Sequence, residues 1–482
     1  MTMTTPPTVT QFMQRVSNRL RDGAWPIITA ALLGLAVTTM AIGRYFTWDE
    51  AVFFSQSGGL DGSRTSPLTL VASRGLGSPF LIRAIRVFVD GLAGVRLVWA
   101  TLTVSLLVFG ARRLRRHVGD RGALLFLGVY GTFWLFWAFA SSFYAMLLAG
   151  VFTMIAATFY LDLVTAPPAK RSLWPASVGF GLFMTASLAM RPIEAVLSAT
   201  ALVVHLCVFN WGALRARFRY FGTSLALVAV AFGVPYTIDS ISRFGSLTAR
   251  VRSGLNQGWP QGLRWNVPEY LGVWGGHFEK STLETMPGWP RWIIYAGMIA
   301  AMTVIVLALA RRRRTFARGP AGAFIAVAAA QFAFFLFWGG EIQERYHFTS
   351  MIFMAALLAW AVTQGSFSLR GRWRGILALG IVAWLVAQLA LVGPYNEAWD
   401  SAGQRNERIA KTMRTLADDG SCRAFVQSST PQIAVGSGCS TRSYGTWENA
   451  VALGTESAQE GRPTFIYGPA KAATTPLPEG WT

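Results

Sequence analysis

Residues 26–50 read PIITAALLGLAVTTMAIGRYFTWDE, and this stretch decides the fold. The block from Pro26 to Tyr45 matches the roughly 20 apolar residues a helix needs to cross a bilayer. Arg15, Arg19 and Arg21 precede it, which places the N-terminus on the cytoplasmic side. Pro26 suits a first helical turn, where its missing N–H leaves nothing unsatisfied. No cleavage signature stands ahead of the block, so it reads as an uncleaved anchor. It ends in the aromatic step Tyr45-Phe46-Thr47-Trp48 and the acidic pair Asp49-Glu50, expected at the outer membrane face.

The rest of the chain repeats this pattern. Apolar residues make up 53% of it and charged residues 14%, against about a quarter charged in soluble domains. The net charge of +20 comes from Arg clusters in short gaps between apolar blocks. That is the positive-inside distribution and not the continuous basic face a nucleic acid needs. Histidine is scarce, and no His/Cys cluster has metal spacing.

The second block, from about Gly94 to Gly110, ends in ARRLRRHVGDR, an inside anchor. The stretch from Gly122 to Leu163 is two spans long, with its turn at Ala140-Ser141-Ser142. Another double block, from Leu173 to Trp211, is broken at Arg191-Pro192, since Pro disfavours helix in the residue before it. Further blocks run over about Phe221–Ile238, Trp292–Ala310, Ala321–Trp338, Tyr346–Val362 and Ile376–Val392. The count is about eleven transmembrane helices, and only with both double blocks folded as hairpins do all Arg clusters fall inside. The fold class is an all-α polytopic membrane bundle. Its expected divisions are a cytoplasmic segment 1–25, a membrane module 26–393 with external loops 46–93 and 239–290, and an extracytoplasmic domain 394–482.

The tail 394–482 is small and α/β. Asn406–Leu416 and Trp447–Glu460 read as helices, and CRAFVQ and PTFIYG as short buried strands bounded by Gly and Pro. Cys422 and Cys439 fall there, and an external compartment permits a disulfide between them. Cys207 lies in an apolar span and reads as a small core residue.

Asp49 and Glu50 are flanked by apolar residues on both sides. Desolvation there would raise a carboxyl pKa and prepare a general base. Arg191 stands at an external turn, against the inside bias, and Arg345, Tyr346 and His347 stand beside Glu341 and Glu344 in EIQERYHF. Arg gives bidentate hydrogen bonds to phosphate oxygens, so a membrane-level cluster of carboxylates and Arg suits a lipid-linked phosphate. Arg74 in the first external loop and His277 in the second are weaker candidates. The segment from Phe80 to Phe88 has an apolar side with Arg83 and Arg86 between, as a surface-lying amphipathic helix does.

With those residues in place, the chain resembles bacterial glycosyltransferases of the GT-C superfamily, and is similar to the dolichyl-phosphate-mannose-dependent protein mannosyltransferases. WDEAVFF at Trp48–Phe54 resembles their acidic motif after the first helix. SPFLIRAIRVFVDGLAGVRLVWATL resembles their Pro-led surface helix, with Arg96 where an Arg is usual. SSFYAMLLAG with Tyr144, RPIEAVLSATALV at Arg191 and ERYHFTSMIFMAALLA with Arg345 and Tyr346 resemble later segments. The Pro-led helix departs from the pattern, beginning Gly-Ser-Pro where His-Pro-Pro is usual. The resemblance implies sugar transfer from a polyprenyl-phosphate donor to a glycan, lipid or protein acceptor, at a bacterial plasma (inner) membrane. Asp49 would be the base. Glu50 would assist it, or share a divalent cation such as Mg or Mn. Arg191 and Arg345 would meet the leaving phosphate. Two other readings stay open: a transporter or flippase of lipid-linked glycans, with ionisable groups deep in its spans, and a non-enzymatic scaffold for envelope assembly.

Overall fold

The computed structural model describes residues 31–32, 34, 47–59, 75–89, 91–166, 173–256, 265–267, 289–312, 316–337, 344–364, 372–417, 422–426, 430–443, 447–459 and 463–467. Among them, seven helices are long and apolar enough to cross a membrane, and Trp174–Met190 and Phe348–Thr363 are shorter apolar helices. The first block lies mostly outside the described residues.

Two short helices come first, α1 (Trp48–Gly59) and α2 (Gly77–Arg86), packed on each other. In α2, Ser78, Pro79, Ile82 and Ile85 are buried along one stripe, while Phe80, Val87 and Phe88 are exposed, Phe88 at 86%. That is the amphipathic pattern of a helix at an interface. The long helix α3 (Leu92–Gly131) carries the Arg-rich stretch, and its regular course is broken at Gly119, φ +76°. Glycine alone takes that conformation without strain. The turn expected at Ala140-Ser141-Ser142 is present, but the span before it is not one helix. It is the part of α3 beyond Gly119 plus the six-residue α4 (Trp134–Phe139), whose start is held by Trp134 N donating to Gln388 Oε1 at 2.8 Å.

Helix α5 (Ala145–Thr165) is the axis of the bundle. It is apolar all round and nearly every residue is buried, as expected of a helix packed on all sides. Helix α6 (Trp174–Met190) runs back along it and α7 (Pro192–Phe209) runs forward again, so the hairpin at Arg191 exists. Two contacts fix the directions. Ser187 Oγ, near the end of α6, donates to Ala149 O at the start of α5. His205, near the end of α7, lies 2.7 Å from Tyr160 Oη near the end of α5. Cys207 is exposed on α7 and is not a core residue.

After the short α8 (Trp211–Ala216), α9 covers Phe218–Phe244, with a π-helical turn at Ala229–Gly233 just before Pro235, which has no N–H to give to the ladder. The helix thus outruns the expected end at Ile238. Asp239 is inside it, paired with Arg243 and with Arg250 of α10 (Leu247–Asn256). Helices α11 (Trp289–Arg311), α12 (Pro320–Phe337) and α13 (Phe348–Gln364) complete the apolar set, and a 3-10 turn, Glu344–His347, leads into α13.

The next helix, α14 (Arg372–Leu416), is 45 residues long and passes through Gly393-Pro394 without ending. A break was expected there. Proline removes one backbone bond, but Tyr395 is buried against Trp134 and Phe139, at 5.4 and 5.6 Å between ring centroids, and that packing carries the helix across. Beyond it come β1 (Arg423–Val426), α15 (Thr430–Ser437), β2 (Ser440–Ser443), α16 (Trp447–Gln459) and β3 (Thr464–Tyr467). The strands are parallel in the order β2-β1-β3. Cys422 and Cys439, which stand just before β1 and β2, are joined as a disulfide.

The bundle has two chemically distinct ends. At one, Arg113, Arg116 and His117 surround Asp162, Arg217 donates to the carbonyls of Leu163 and Ala166, and His205 meets Ala317 O. The Arg-rich stretches around 111–121, 211–219 and 316–318 therefore gather together. At the other end lie the starts of α1, α5, α7 and α13.

Candidate active site

Helix α1 begins with a sequence-encoded cap. Thr47 and Glu50 stand three apart, the spacing of a capping box. Thr47 N donates to Glu50 Oε2 at 2.9 Å, and Glu50 N donates to Thr47 Oγ1 at 3.4 Å. Glu50 is further held by Arg96 of α3, which donates through Nε to Oε1 at 3.0 Å and through Nη2 to Oε2 at 2.8 Å. Both are buried, at 0% and 1% exposure. Two charges out of water are tolerated only in such bidentate geometry.

The Glu50 carboxylate therefore meets a guanidinium and its own helix cap. Among the described residues no group of three or more His, Cys, Asp or Glu could hold a metal.

Asp49 sits between the two capping residues. It is buried at 4% exposure and followed by the buried Ala51, Val52 and Phe53. Tyr144, immediately before α5, donates its hydroxyl to Thr47 Oγ1 at 3.4 Å. Tyr144 stands edge-on to Phe139 at 4.5 Å, and Phe139 meets Phe348 edge-on at 5.5 Å. The acidic turn of α1 is thereby linked to the start of α13.

The expected phosphate-binding residues divide. Arg191 occupies the break between α6 and α7 and pairs with Glu194 at 2.9 Å. The start of α2 lies against the same turn: Ser78 Oγ meets Met190 Sδ at 3.4 Å, and a Cβ on Gly75 or Gly77 would run into the Ala189 and Met190 backbone. Since α1 packs on α2, with Arg86 donating to Ser57 Oγ at 3.0 Å and stacked over Phe54, the same end of the bundle carries Asp49 and Arg191. Tyr346 stacks on Phe335 at 5.1 Å. His347 is fully buried at the start of α13. Arg345 is described only in its backbone, and Arg74 and His277 lie outside the described residues.

Three residues of this network were not chosen as site residues from the sequence: Arg96, Tyr144 and Thr47. The T-x-x-E spacing was the available signal for Thr47, and the resemblance had marked Arg96 and Tyr144 without a role.

Set beside known structures, the chain aligns with ArnT from Cupriavidus metallidurans bound to undecaprenyl phosphate over 92% of its length and 90% of that protein's, with a TM-score of 0.65 at 13% identity. The chain shares the fold of that protein. The Archaeoglobus fulgidus oligosaccharyltransferase tethered with an acceptor peptide aligns at TM-score 0.55 and 12% identity, over 86% of this chain and 63% of that one. The arabinofuranosyltransferase AftD from Mycobacteria aligns at TM-score 0.50 and 13% identity, over 83% and 29%. No protein-family model matches the sequence, and no curated protein matches it. At these identities the likeness is one of fold.

Proposed function

We propose that the protein is a membrane glycosyltransferase that moves a sugar from a polyprenyl-phosphate donor to an envelope acceptor on the outer face. The observation that carries this reading is a buried aspartate, Asp49, held at the first turn of a helix by a cap and a buried ion pair, in a GT-C fold. The orientation follows from the Arg-rich end, which by the positive-inside rule faces the cytoplasm. The opposite end, with Asp49, then faces outward, where a lipid-linked donor can supply the sugar. That ArnT binds undecaprenyl phosphate in the same fold supports a donor of this class.

The chemistry is a displacement. The acceptor hydroxyl oxygen bonds to the anomeric carbon while the bond from that carbon to the phosphate oxygen breaks, and the electron pair leaves with the polyprenyl phosphate. Asp49 takes the hydroxyl proton. The leaving phosphate gains charge, and Arg191 and Arg345, with Arg74 and His277 as further candidates, are the groups assigned to meet it. The acceptor is a glycan, a lipid or a protein.

Asp49→Asn keeps the shape and removes the base. It should abolish sugar transfer from the donor while expression and thermal stability stay near wild type. Full transfer by that variant would remove Asp49 from the mechanism.

A further inference from the structure

We infer that Thr47 and Tyr144 are positioning residues, which set Asp49 through a hydrogen-bond network anchored in the bundle core; this rests on Asp49 being the base. Helix α1 has twelve residues, and a helix that short is marginal without outside support. The direction of its first turn must therefore come from its surroundings. Thr47 Oγ1 provides the link, accepting from Glu50 N inside α1 and from Tyr144 Oη outside it, each at 3.4 Å. Thr47 N closes the loop onto Glu50 Oε2, and Arg96 holds that carboxylate from α3. Asp49 is inside this loop, between two residues whose backbones are both fixed.

Tyr144 brings a rigid reference. It opens α5, the most enclosed helix of the bundle, and is itself buried. Its ring is set edge-on against Phe139, and its N–H donates to Ser142 O at 2.6 Å. A carboxylate whose position is fixed this way loses no freedom when it meets the acceptor hydroxyl, which is where positioning contributes to rate. The inference gives Glu50 and Thr47 a shared task distinct from proton transfer.

The substitutions separate the links. Thr47→Val keeps the shape but loses both acceptor bonds. Thr47→Ser keeps them. Tyr144→Phe loses only the link to the core. Amide hydrogen exchange across residues 47–55 of the full chain in lipid nanodiscs reads the network directly. Thr47→Val should exchange about fivefold faster, the factor typical of losing a helix cap. Tyr144→Phe should fall between it and wild type, and Thr47→Ser should stay close to wild type. Turnover of a panel of undecaprenyl-phosphate hexoses and pentoses, followed by release of undecaprenyl phosphate, reads the consequence. Thr47→Val and Tyr144→Phe should lower kcat with the donor KM unchanged, and Thr47→Ser should restore it. Unchanged exchange and kcat in Thr47→Val would overturn the inference. So would a raised KM at constant kcat, which would set Thr47 against the donor. A wild-type protein that consumes none of these donors overturns the glycosyltransferase reading instead, and the exchange measurement still decides the network.

Discussion

Replacing Arg96 with methionine removes the guanidinium from a pair in which Glu50 and Arg96 are 0% and 1% exposed. Two bonds of 3.0 and 2.8 Å disappear together, and the Glu50 carboxylate stays buried with its Thr47 N–H. Breaking one side of such a pair costs about 3–5 kcal/mol. Protonation offers the carboxylate an escape. From an ordinary glutamate pKa near 4.3, that escape costs about 4 kcal/mol at pH 7 and about 1 kcal/mol at pH 5, at 1.36 kcal/mol per unit. The two estimates agree at neutral pH, and the second makes the loss depend on pH. Arg96→Met should thus be destabilised by about 4 kcal/mol relative to wild type at pH 7, and the gap should shrink to about 1 kcal/mol at pH 5. Glu50→Gln should cost less, and the double variant Glu50→Gln/Arg96→Met should lie well above the sum of the two singles, because no charge is then left stranded. The assay is hydrogen exchange over α1 together with thermal unfolding in detergent, each variant compared with wild type at the same pH. Strict additivity of the two substitutions, with a gap that does not move between pH 7 and pH 5, would refute the reasoning.

Two further outcomes are expected. Arg345→Ala should weaken use of the polyprenyl-phosphate donor, seen as a raised donor KM; an unchanged KM would remove Arg345 from phosphate recognition. Cys422→Ser should lower the stability of the C-terminal domain by about 3 kcal/mol, the typical figure for a closed loop of about 15 residues; protease susceptibility of that domain, with and without reductant, measures it.

What the sequence made legible was set by local physics. The hairpin at Arg191 is there because proline cannot be preceded comfortably by helix, and the turn after Ala140 divides a stretch too long for one span. The gathering of Arg clusters at one end follows from the same parity. The Gly393-Pro394 pair misled for an instructive reason: it has the local signature of a helix end, and burial of Tyr395 against α4 overrides it. The strand Ser440–Ser443 was invisible because STRS has no apolar alternation, and pairing with Arg423–Val426 alone makes it a strand. At the candidate site, Asp49 could be chosen from its apolar flanks. The fate of Glu50 could not, since its partner Arg96 is 46 residues away and the pair exists only after α1 docks on α3.

The unbroken course of α14 sets a rule for the C-terminal domain that an ordinary tether would not. Its 45 residues form a strut of about 67 Å at 1.5 Å per residue, with the bundle gripping one part and the parallel sheet following the other. The domain returns through α15, which packs on both α14 and α1. A flexible linker absorbs an added residue without notice. In a continuous helix one added residue turns everything beyond it by about 100°, which would carry α15 off α1. The number of residues between Tyr395 and Leu416 is therefore a phase setting, by which the C-terminal sheet and helices keep their address on the helix that bears Asp49.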